Sequence, residues 1–333
     1  MKAKHLVILD FATMSHRYEI SPSCLYDHAV TTDCYALTAA EDAAERIGDA
    51  DAVICNKVPI SAQVMDACPN LRYIGLLATG YNNVDLPAAD ARGITVCNAG
   101  SYSTNAVAQL VFAYILDHYE KLALYNADVR LGKWIGHRTF SYFPYPTMEL
   151  AGKTMAIVGY GSIGKAVAKI ADAFGMQVVI ATRTTPENCP YPVVSVPKAF
   201  ACADVLSVHC PLNEASREMV CRSNLRLMKP EAILINTARG GVVNEQDLAD
   251  ALNSDRLAAA YVDVLNQEPM AEDTPLRTAK NCTITSHIAW TPMETRERLL
   301  AIAAENLQCY FDGVPRNVVN CPVHNKIAGN AGE

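Results

Sequence analysis

Residues 154–164 have the sequence Thr-Met-Ala-Ile-Val-Gly-Tyr-Gly-Ser-Ile-Gly, in which a short apolar strand runs directly into a G-x-G-x-x-G turn. The spacing has a physical basis: Gly159 permits the tight turn, Gly161 lets backbone N–H groups approach a pyrophosphate, and Gly164 lets the following helix pack closely on the strand. An ordinary glycine-rich turn is the alternative. It is disfavoured because apolar residues continue at helical spacing, at Ile163, Val167, Ile170 and Phe174. The stretch therefore predicts a Rossmann-type dinucleotide site, with the phosphates at the helix N-terminus.

Length and composition limit what the chain can be. Its 333 residues exceed the size at which a single core usually stops growing, so two domains are predicted. The formal net charge of −7 disfavours nucleic acid or an anionic membrane surface as the main partner. No apolar run approaches the roughly 18 residues of a membrane span, and the 12 cysteines are scattered without a C-x-x-C pair. We therefore expect a cytoplasmic protein with reduced thiols that binds small molecules.

Short apolar runs alternate with helical patterns along the chain, which is typical of an α/β protein built from parallel sheets. In the N-terminal third, strands are predicted at 5–10, 52–56, 73–77 and 94–97. After the strand that precedes the glycine turn, further strands are predicted at 177–181, 204–208, 231–236, 258–263 and 283–286. Together with the strand at 154–158, these favour a doubly wound sheet.

Two long helical patterns define the domain boundaries. The first begins with Ser103 or Thr104 as N-cap and is predicted to bridge the two units; its apolar face comprises Val107, Leu110, Val111, Tyr114 and Ile115. The second follows Pro292 and ends near Gly313; its apolar face comprises Leu299, Leu300, Ala303, Leu307 and Tyr310. The tail after it is too short for a domain of its own. We therefore predict a discontinuous substrate-binding domain, 1–98 plus 292–333, with a dinucleotide-binding domain inserted at 99–291.

Three titratable residues follow predicted strands, where the ligands of doubly wound sheets bind: Arg239, Glu268 and His287. The planar guanidinium of an arginine can hold a carboxylate or polarise a keto oxygen. A histidine can deliver the proton that must accompany hydride transfer to a ketone, and a neighbouring carboxylate favours the protonated ring and fixes it. We therefore predict that these three residues are catalytic and that the reaction is reduction of a 2-keto acid.

Each of these residues also has a simpler interpretation when taken alone. Arg239 could be a surface ion-pair residue, Glu268 a solvated loop acid, and His287 a hydrogen-bonded core histidine. His209, which also follows a strand, is expected to be a structural residue near the cofactor rather than a second catalyst. No pair of histidines or cysteines has the spacing of metal ligands, so no metal is predicted.

These motifs resemble the D-isomer-specific 2-hydroxyacid dehydrogenase family over nearly the full length of the chain. The similar segments are the turn at 159–164, Asn236-Thr237-Ala238-Arg239-Gly240-Gly241, Glu268-Pro269 and Ser286-His287-Ile288-Ala289. The resemblance implies a Rossmann-type doubly wound domain inserted into a smaller flavodoxin-like α/β domain, and a homodimer. It assigns substrate binding to Ala78, Thr79 and Gly80 together with Arg239 and His287.

The resemblance also implies contacts with a nicotinamide cofactor. The residues concerned are Thr104, Gly159, Tyr160, Gly161, Ser162, Ile163, Gly164, Thr182, Arg183, Cys210, Pro211, Thr237, Ala238, Asp263, His287 and Ala289. Asp263 has an alternative role as the anchor of a turn. Thr182 stands where an NAD-preferring site usually carries Asp or Glu, and Arg183 could pair with a 2′-phosphate, so the predicted cofactor is NADP or NAD. Alternatively, Arg183 stacks on adenine in an enzyme that uses NAD.

Three further stretches imply a substrate within the family: 79–85, 102–104 followed by 107–109, and 287–290. They are similar to members that reduce hydroxypyruvate or glyoxylate to the D-2-hydroxy acid. A D-lactate or phosphoglycerate type of dehydrogenase is the enzymatic alternative, although the segment 79–83 lacks the cations that a phosphate would require. A nucleotide-sensing corepressor-like binding protein is the alternative from another class.

Overall fold

The computed structural model describes residues 1–15, 19–184 and 187–322. The chain forms two compact units: unit 1 comprises Met1–Tyr102 and the chain from Thr291 onward, and unit 2 comprises Ser103–Trp290. Unit 1 is thus discontinuous and unit 2 is inserted into it, each built on a parallel sheet with helices. The predicted fold class is confirmed. Residues 323–333, predicted to belong to the discontinuous domain, lie outside the described residues.

Unit 1 contains a five-stranded parallel sheet in the order β2-β1-β3-β4-β5, which is the flavodoxin-like order. Its strands are β1 (Ala3–Ile8), β2 (Ala29–Cys34), β3 (Ala52–Cys55), β4 (Tyr73–Leu76) and β5 (Thr95–Cys97). The sequence analysis missed β2. This edge strand has the sequence Ala-Val-Thr-Thr-Asp-Cys with only Ala29 buried, so it carries no apolar run.

Short helices cover this sheet: α1 (Ser23–Tyr26), α2 (Ala43–Ile47), α3 (Ala62–Ala67) and α4 (Leu86–Ala91). Two of these helices, α3 and α4, follow Ser61 and Asp85. Both begin at side-chain caps, because Ser61 Oγ accepts from Val64 N and Asp85 Oδ1 accepts from Ala88 N at 3.0 Å.

Unit 2 contains a six-stranded parallel sheet in the order β11-β10-β9-β8-β6-β7. Its strands are β6 (Thr154–Val158), β7 (Gln177–Ala181), β8 (Val205–Val208), β9 (Ile233–Asn236), β10 (Ala259–Val262) and β11 (Cys282–Ile284). Beyond β7, Val193 forms a single parallel bridge with Ile180. This bridge occupies the place of the third strand in the doubly wound order. The sequence analysis missed it, because Pro190 and Pro192 leave no strand-like run.

The helices of unit 2 are α5 (Thr104–Glu120), α6 (Leu122–Arg130), α7 (Ser162–Ala173), α8 (Val196–Cys202), α9 (Arg222–Leu225) and α10 (Glu245–Asn253). Ser103 is the N-cap residue of α5, as predicted, although its side chain forms no cap hydrogen bond. The buried stripe of α7 comprises Gly164, Val167, Ala168 and Ala171. Phe174 follows directly as the C-cap residue of α7; it is 41% exposed, and its ring stacks on that of Phe112 in α5 with centroids 5.4 Å apart.

The last helix, α11 (Met293–Phe311), belongs to unit 1. Its predicted apolar residues Leu299, Leu300, Ala303 and Leu307 are buried. The tail then joins the unit 1 sheet, where Val319 N donates to Val96 O at 2.9 Å. Within the described ranges, no helix is long and apolar enough to cross a membrane. All 12 cysteines are free thiols.

Candidate active site

The carboxyl ends of all unit 2 strands lie at one edge of the sheet, because the strands are parallel. The connection from β6 to β7 runs in one direction across the sheet, and β8 lies on the other side of β6. Such a reversal is the switch point at which doubly wound sheets bind ligands. The glycine turn follows β6, and the segments with Arg239, Glu268 and His287 follow β9, β10 and β11.

The glycine turn contains two glycines that the local packing requires. Gly159 has a φ of 98°, and a Cβ there would lie 2.6 Å from the carbonyl carbon of His209. A Cβ on Gly164 would lie 2.1 Å from Gly159 O, so no side chain fits at the helix–strand contact. Gly161 differs, because a Cβ there would meet nothing within 4 Å. The absence of a side chain at Gly161 therefore keeps open the space in front of the α7 N-terminus.

These surroundings fit a dinucleotide. The N-cap residue of α7 is Gly161, which has no side chain to cap the helix, and a helix N-terminus is the usual place for a phosphate. Among the described residues, Thr237 Oγ1 at the end of β9 is buried and has no hydrogen-bond partner. A buried hydroxyl in that condition is unusual and suits a polar ligand. Tyr160 lies in the turn and Lys165 directly follows it, with Lys165 Nζ 5.7 Å from the centre of the Tyr160 ring.

Thr182 and Arg183, two of the predicted cofactor contacts, directly follow β7, and Cys210 and Pro211 follow β8. Thr182 is half-buried and Arg183 is exposed. Burial raises the pKa of the Cys210 thiol, and the positive charge of Arg183 offsets part of this rise, so the two side chains are near each other. Pro211, the next predicted contact, is exposed, and its carbonyl accepts from Ser216 Oγ at 2.6 Å.

His209 has the surroundings of a structural residue. Burial lowers the pKa of its imidazole to about 3, and Nε2 lies 2.8 Å from Ser207 Oγ. Its backbone N–H donates to Val158 O at 2.7 Å and packs the loop against Gly159. A ring that stays neutral at physiological pH is a poor proton donor, which agrees with the expectation from the sequence.

Arg239 lies on a turn that the buried side chain of Asn236 fixes. Asn236 Oδ1 accepts from Ala238 N and its Nδ2 donates to Arg239 O, both at 3.0 Å. The guanidinium is exposed, and its Nη1 donates to Ala238 O at 2.7 Å. A Cβ on Gly240 would lie 1.9 Å from the carbonyl carbon of Leu265. Gly240 therefore lets the loop that follows β10 approach the arginine turn.

That loop carries Glu268, which contacts His287 directly. His287 Nδ1 and Glu268 Oε2 are 2.7 Å apart, and the side chains are 32% and 37% exposed. Glu268 Oε1 accepts from Leu265 N at 3.0 Å, which fixes the carboxylate. His287 has a φ of 57°, in the left-handed region. Because the carboxylate holds Nδ1, the accessible nitrogen of the ring is Nε2.

Asp263, 1% exposed at the end of β10, anchors the segment that carries His287. Its Oδ1 accepts from Ile288 N at 2.8 Å and from Thr285 Oγ1, and its Oδ2 accepts from Ala289 N at 2.9 Å. Its backbone carbonyl accepts from His287 N at 2.9 Å. The turn-anchor role is therefore present, and direct contact of Asp263 with the cofactor stays a prediction.

The three residues predicted to bind the substrate carboxylate lie in unit 1, directly beyond β4. Ala78 O accepts from Ala99 N at 2.9 Å, and Thr79 O accepts from Asn98 Nδ2 at 2.7 Å. Thr79 Oγ1 donates to Gly100 O. These bonds hold Ala78, Thr79 and Gly80 against the loop that follows β5.

Within unit 2, the structure thus joins Glu268 to His287 and packs their loop against the Arg239 turn. Thr104 is the first residue of α5, and its predicted cofactor contact stays a prediction, as do the other assigned roles. In the described part of the chain, no group of three or more His, Cys, Asp or Glu side chains is arranged to hold a metal ion. The sequence analysis did not identify Thr285, which has no motif of its own and is recognisable only from its hydrogen bonds with Asp263 and Tyr114.

The sequence and the fold of this chain are similar to those of several known proteins. Residues 112–289 match the family model for the NAD-binding domain of D-isomer-specific 2-hydroxyacid dehydrogenases. The chain is 43% identical over 296 residues to a hydroxypyruvate reductase of Blautia hydrogenotrophica, covering 87% of this chain and 91% of the relative. It is 37% identical to a glycerate dehydrogenase of Methylorubrum extorquens, covering 84% and 88%. An NADPH-dependent glyoxylate/hydroxypyruvate reductase of Sinorhizobium meliloti, solved with NADP and malonate, superposes with a TM-score of 0.79 at 26% identity, covering 95% and 96%.

Proposed function

Because this chain belongs to the D-isomer-specific 2-hydroxyacid dehydrogenase family, we propose that it reduces a short 2-keto acid, hydroxypyruvate or glyoxylate, to the D-2-hydroxy acid with NAD(P)H. The observation that carries the proposal is the 2.7 Å contact between His287 and Glu268 beside the Arg239 turn. This combination supplies a proton donor and a cation, which ketone reduction requires. The two relatives named above are a hydroxypyruvate reductase and a glycerate dehydrogenase.

The roles of the residues follow from their chemistry. The bound nicotinamide supplies the hydride that reduces the carbonyl carbon. His287 donates a proton from Nε2 to the carbonyl oxygen, and Glu268 keeps the ring oriented and balances its positive charge. Arg239 binds the carboxylate of the substrate through charge-assisted hydrogen bonds. Backbone groups of Ala78, Thr79 and Gly80 are proposed as further contacts of that carboxylate.

A panel of 2-keto acids tests the proposal. Oxidation of NADH and of NADPH is followed by absorbance with hydroxypyruvate, glyoxylate, pyruvate and phosphohydroxypyruvate, and the configuration of the product is determined by chiral chromatography. We expect the highest kcat/KM with hydroxypyruvate or glyoxylate, and D-glycerate as the product from hydroxypyruvate. No turnover with any keto acid, or L products, would refute the proposed function.

The cofactor preference is proposed from the end of β7. Thr182 provides no carboxylate to repel a 2′-phosphate, and the exposed Arg183 can pair with one, so we propose that NADPH is accepted and preferred. The related reductase of Sinorhizobium meliloti is NADPH-dependent.

Two substitutions test this preference. Thr182→Asp should lower the ratio of kcat/KM for NADPH to that for NADH, because a carboxylate there repels the 2′-phosphate. Arg183→Ala should reduce kcat/KM for NADPH and leave that for NADH unchanged. An equal loss with both cofactors would indicate instead that Arg183 stacks on adenine.

We also propose that the protein is a cytoplasmic homodimer. Segment 122–148 presents large apolar side chains to solvent, including Leu131 at 75%, Ile135 at 86%, Phe140 at 92% and Phe143 at 76% exposed. The segment is nevertheless ordered by the buried Asp128, which accepts hydrogen bonds from Lys133, Tyr142 and Tyr145 at 2.6, 3.0 and 2.8 Å. Contiguous apolar surface on an ordered support is typical of a protein interface.

Light scattering after gel filtration tests the dimer. The wild-type protein should have twice the mass of one chain, and the variants Ile135→Asp and Phe140→Asp should be monomeric. Leu227→Asp, which changes an exposed leucine elsewhere in unit 2, is the matched control. A monomeric wild-type protein would contradict the proposal.

A further inference from the structure

Glu245, the first residue of α10, holds both ends of the loop that carries Glu268. Its Oε1 accepts from Asn266 N, and its Oε2 accepts from Thr274 Oγ1, both at 2.7 Å. Asn266 precedes Glu268 by two residues, and Thr274 follows it by six. One half-buried carboxylate therefore closes the loop 266–274 with two charge-assisted hydrogen bonds, which are stronger than neutral ones.

The loop depends on these bonds because of what lies beneath it. It borders a cavity of about 260 Å³ whose lining includes Glu245, Asn266, Ala271 and Thr274. Dispersion contacts are lost where side chains face open space rather than packed atoms. On this side the loop is therefore held by hydrogen bonds, and those that Glu245 accepts lie at its two ends.

The same loop meets the proposed catalytic groups on its other side. Leu265 and Asn266 pack against Gly240, next to Arg239, and Glu268 reaches His287 at 2.7 Å. A displacement of the loop would move the carboxylate away from the imidazole while leaving the glycine turn of the cofactor site in place.

We propose that Glu245 is a positioning residue for the reaction: it acts through Glu268 to keep His287 in the orientation that delivers the proton. The inference rests on the proposed function for its kinetic consequence, whereas the hydrogen bonds themselves do not depend on it. Glu245 itself does not contact His287.

Comparing Glu245→Gln with Glu245→Ala separates the effect of the two hydrogen bonds from the effect of any change at this position. In Glu245→Gln, the amide oxygen can accept from Asn266 N, and the amide nitrogen can donate to Thr274 Oγ1, since a hydroxyl both donates and accepts. Glu245→Ala removes both bonds. Asp250→Ala is the matched control, because Asp250 lies on the same helix and its carboxylate pairs with Arg222 at 2.7 Å, away from the loop.

Steady-state kinetics with the best keto acid gives the first test. Glu245→Ala should lower kcat about tenfold to a hundredfold, the loss typical of misplaced catalytic groups, while KM for the cofactor stays unchanged. Glu245→Gln should restore most of kcat, and Asp250→Ala should resemble the wild type. A wild-type kcat in a correctly folded Glu245→Ala variant would overturn the inference, although the proposed function would stand.

A double-mutant cycle separates positioning from general destabilisation. If Glu245 acts only through Glu268, then Glu245→Ala should cause no further loss of kcat in the background of Glu268→Gln. Full additivity of the two losses would assign Glu245 a merely structural role and contradict the inference.

Hydrogen–deuterium exchange tests whether Glu245 holds the loop 266–274, and the measurement does not depend on enzyme turnover. Peptides that cover 264–275 should exchange faster in Glu245→Ala than in the wild type, Glu245→Gln or Asp250→Ala. Unchanged exchange would refute the inference that Glu245 holds the loop, whether or not the enzyme is active with a keto acid. Failure of this inference is therefore distinguishable from failure of the proposed function.

Discussion

The substitution Asp263→Asn tests whether the segment that carries His287 is anchored by an ionised carboxylate that accepts hydrogen bonds from three donors. In the native protein its two oxygens accept from Thr285 Oγ1, Ile288 N and Ala289 N. Asparagine has nearly the same shape but only one acceptor oxygen. If that oxygen keeps Ile288 N, the new NH₂ group faces Ala289 N–H; if the amide is flipped, it faces Ile288 N–H instead. Either orientation leaves a backbone donor unpaired.

The expected loss in the free energy of unfolding can be calculated from these contacts. A hydrogen bond to a charged group contributes about 1.5–3 kcal/mol, and a buried donor left unpaired costs about 1–3 kcal/mol, so we expect a loss of about 3 kcal/mol in the free energy of unfolding of unit 2. For a domain of this size each kcal/mol corresponds to about 2–4 °C, which gives a decrease in Tm of about 6–12 °C. We also expect kcat to fall, because the segment 287–289 is released together with the anchor.

Scanning calorimetry of the wild type and the variant gives the Tm of each, and steady-state assays give kcat. Asp255→Asn is the control: it makes the same change in a side chain that is 75% exposed and lies 3.3 Å from Lys280, where an ion pair contributes little. If Asp263→Asn lowers Tm no more than Asp255→Asn does, the carboxylate is not the anchor of this segment.

Other substitutions address the cofactor turn and the proposed catalytic groups. His287→Ala should lower kcat at least a hundredfold, since a general acid contributes about 10²–10⁴ in rate, with NADPH affinity unchanged in a fluorescence titration; turnover like that of the wild type would remove His287 from the mechanism. Arg239→Ala should mainly raise KM for the keto acid, and an unchanged KM would exclude carboxylate binding there. Gly161→Ala should fold with a normal Tm and bind NADPH weakly, because its Cβ meets no protein atom within 4 Å, whereas Gly164→Ala should lower Tm, because its Cβ would lie 2.1 Å from Gly159 O. A normal Kd for NADPH in Gly161→Ala would mean that the ligand does not use this space.

Much of unit 2 could be predicted because its signals are local. The strand, turn and helix at 154–173 lie within one continuous segment, and neighbouring backbone atoms require glycine at Gly159 and Gly164. The predicted strands that precede Arg239 and Glu268 are present as β9 and β10, because central strands of a parallel sheet are continuous apolar runs. One edge of each sheet could not be predicted from the sequence. Strand β2 is mostly polar, and the bridge at Val193 involves a single residue that directly follows Pro192.

The supporting contacts could not be predicted, because they join residues that are distant in sequence and have no periodicity. Glu245 contacts Thr274 across 29 positions, and Asp263 contacts Ala289 across 26. Nothing in the composition of either segment specifies a partner. For Asp263, the sequence analysis left open both a cofactor contact and a turn anchor; both oxygens of its carboxylate accept bonds from the segment that carries His287, and the cofactor contact stays a prediction.

The placement of the three proposed catalytic residues explains how side chains separated by up to 48 positions in the sequence come together. Arg239, Glu268 and His287 follow β9, β10 and β11, which are consecutive neighbours in the sheet. Parallel neighbours lie about 4.8 Å apart, so the segments that begin at their carboxyl ends start close together, and the loop after β10 then brings Glu268 to His287. What pairing cannot provide is the orientation of each group. Orientation comes from Asn236 for the arginine turn, from Leu265 N for the glutamate and from Asp263 for the histidine segment. The substitutions most damaging to activity should therefore include residues that themselves never touch the substrate, and Asp263→Asn and Glu245→Ala examine that consequence on two sides of the same His287–Glu268 pair.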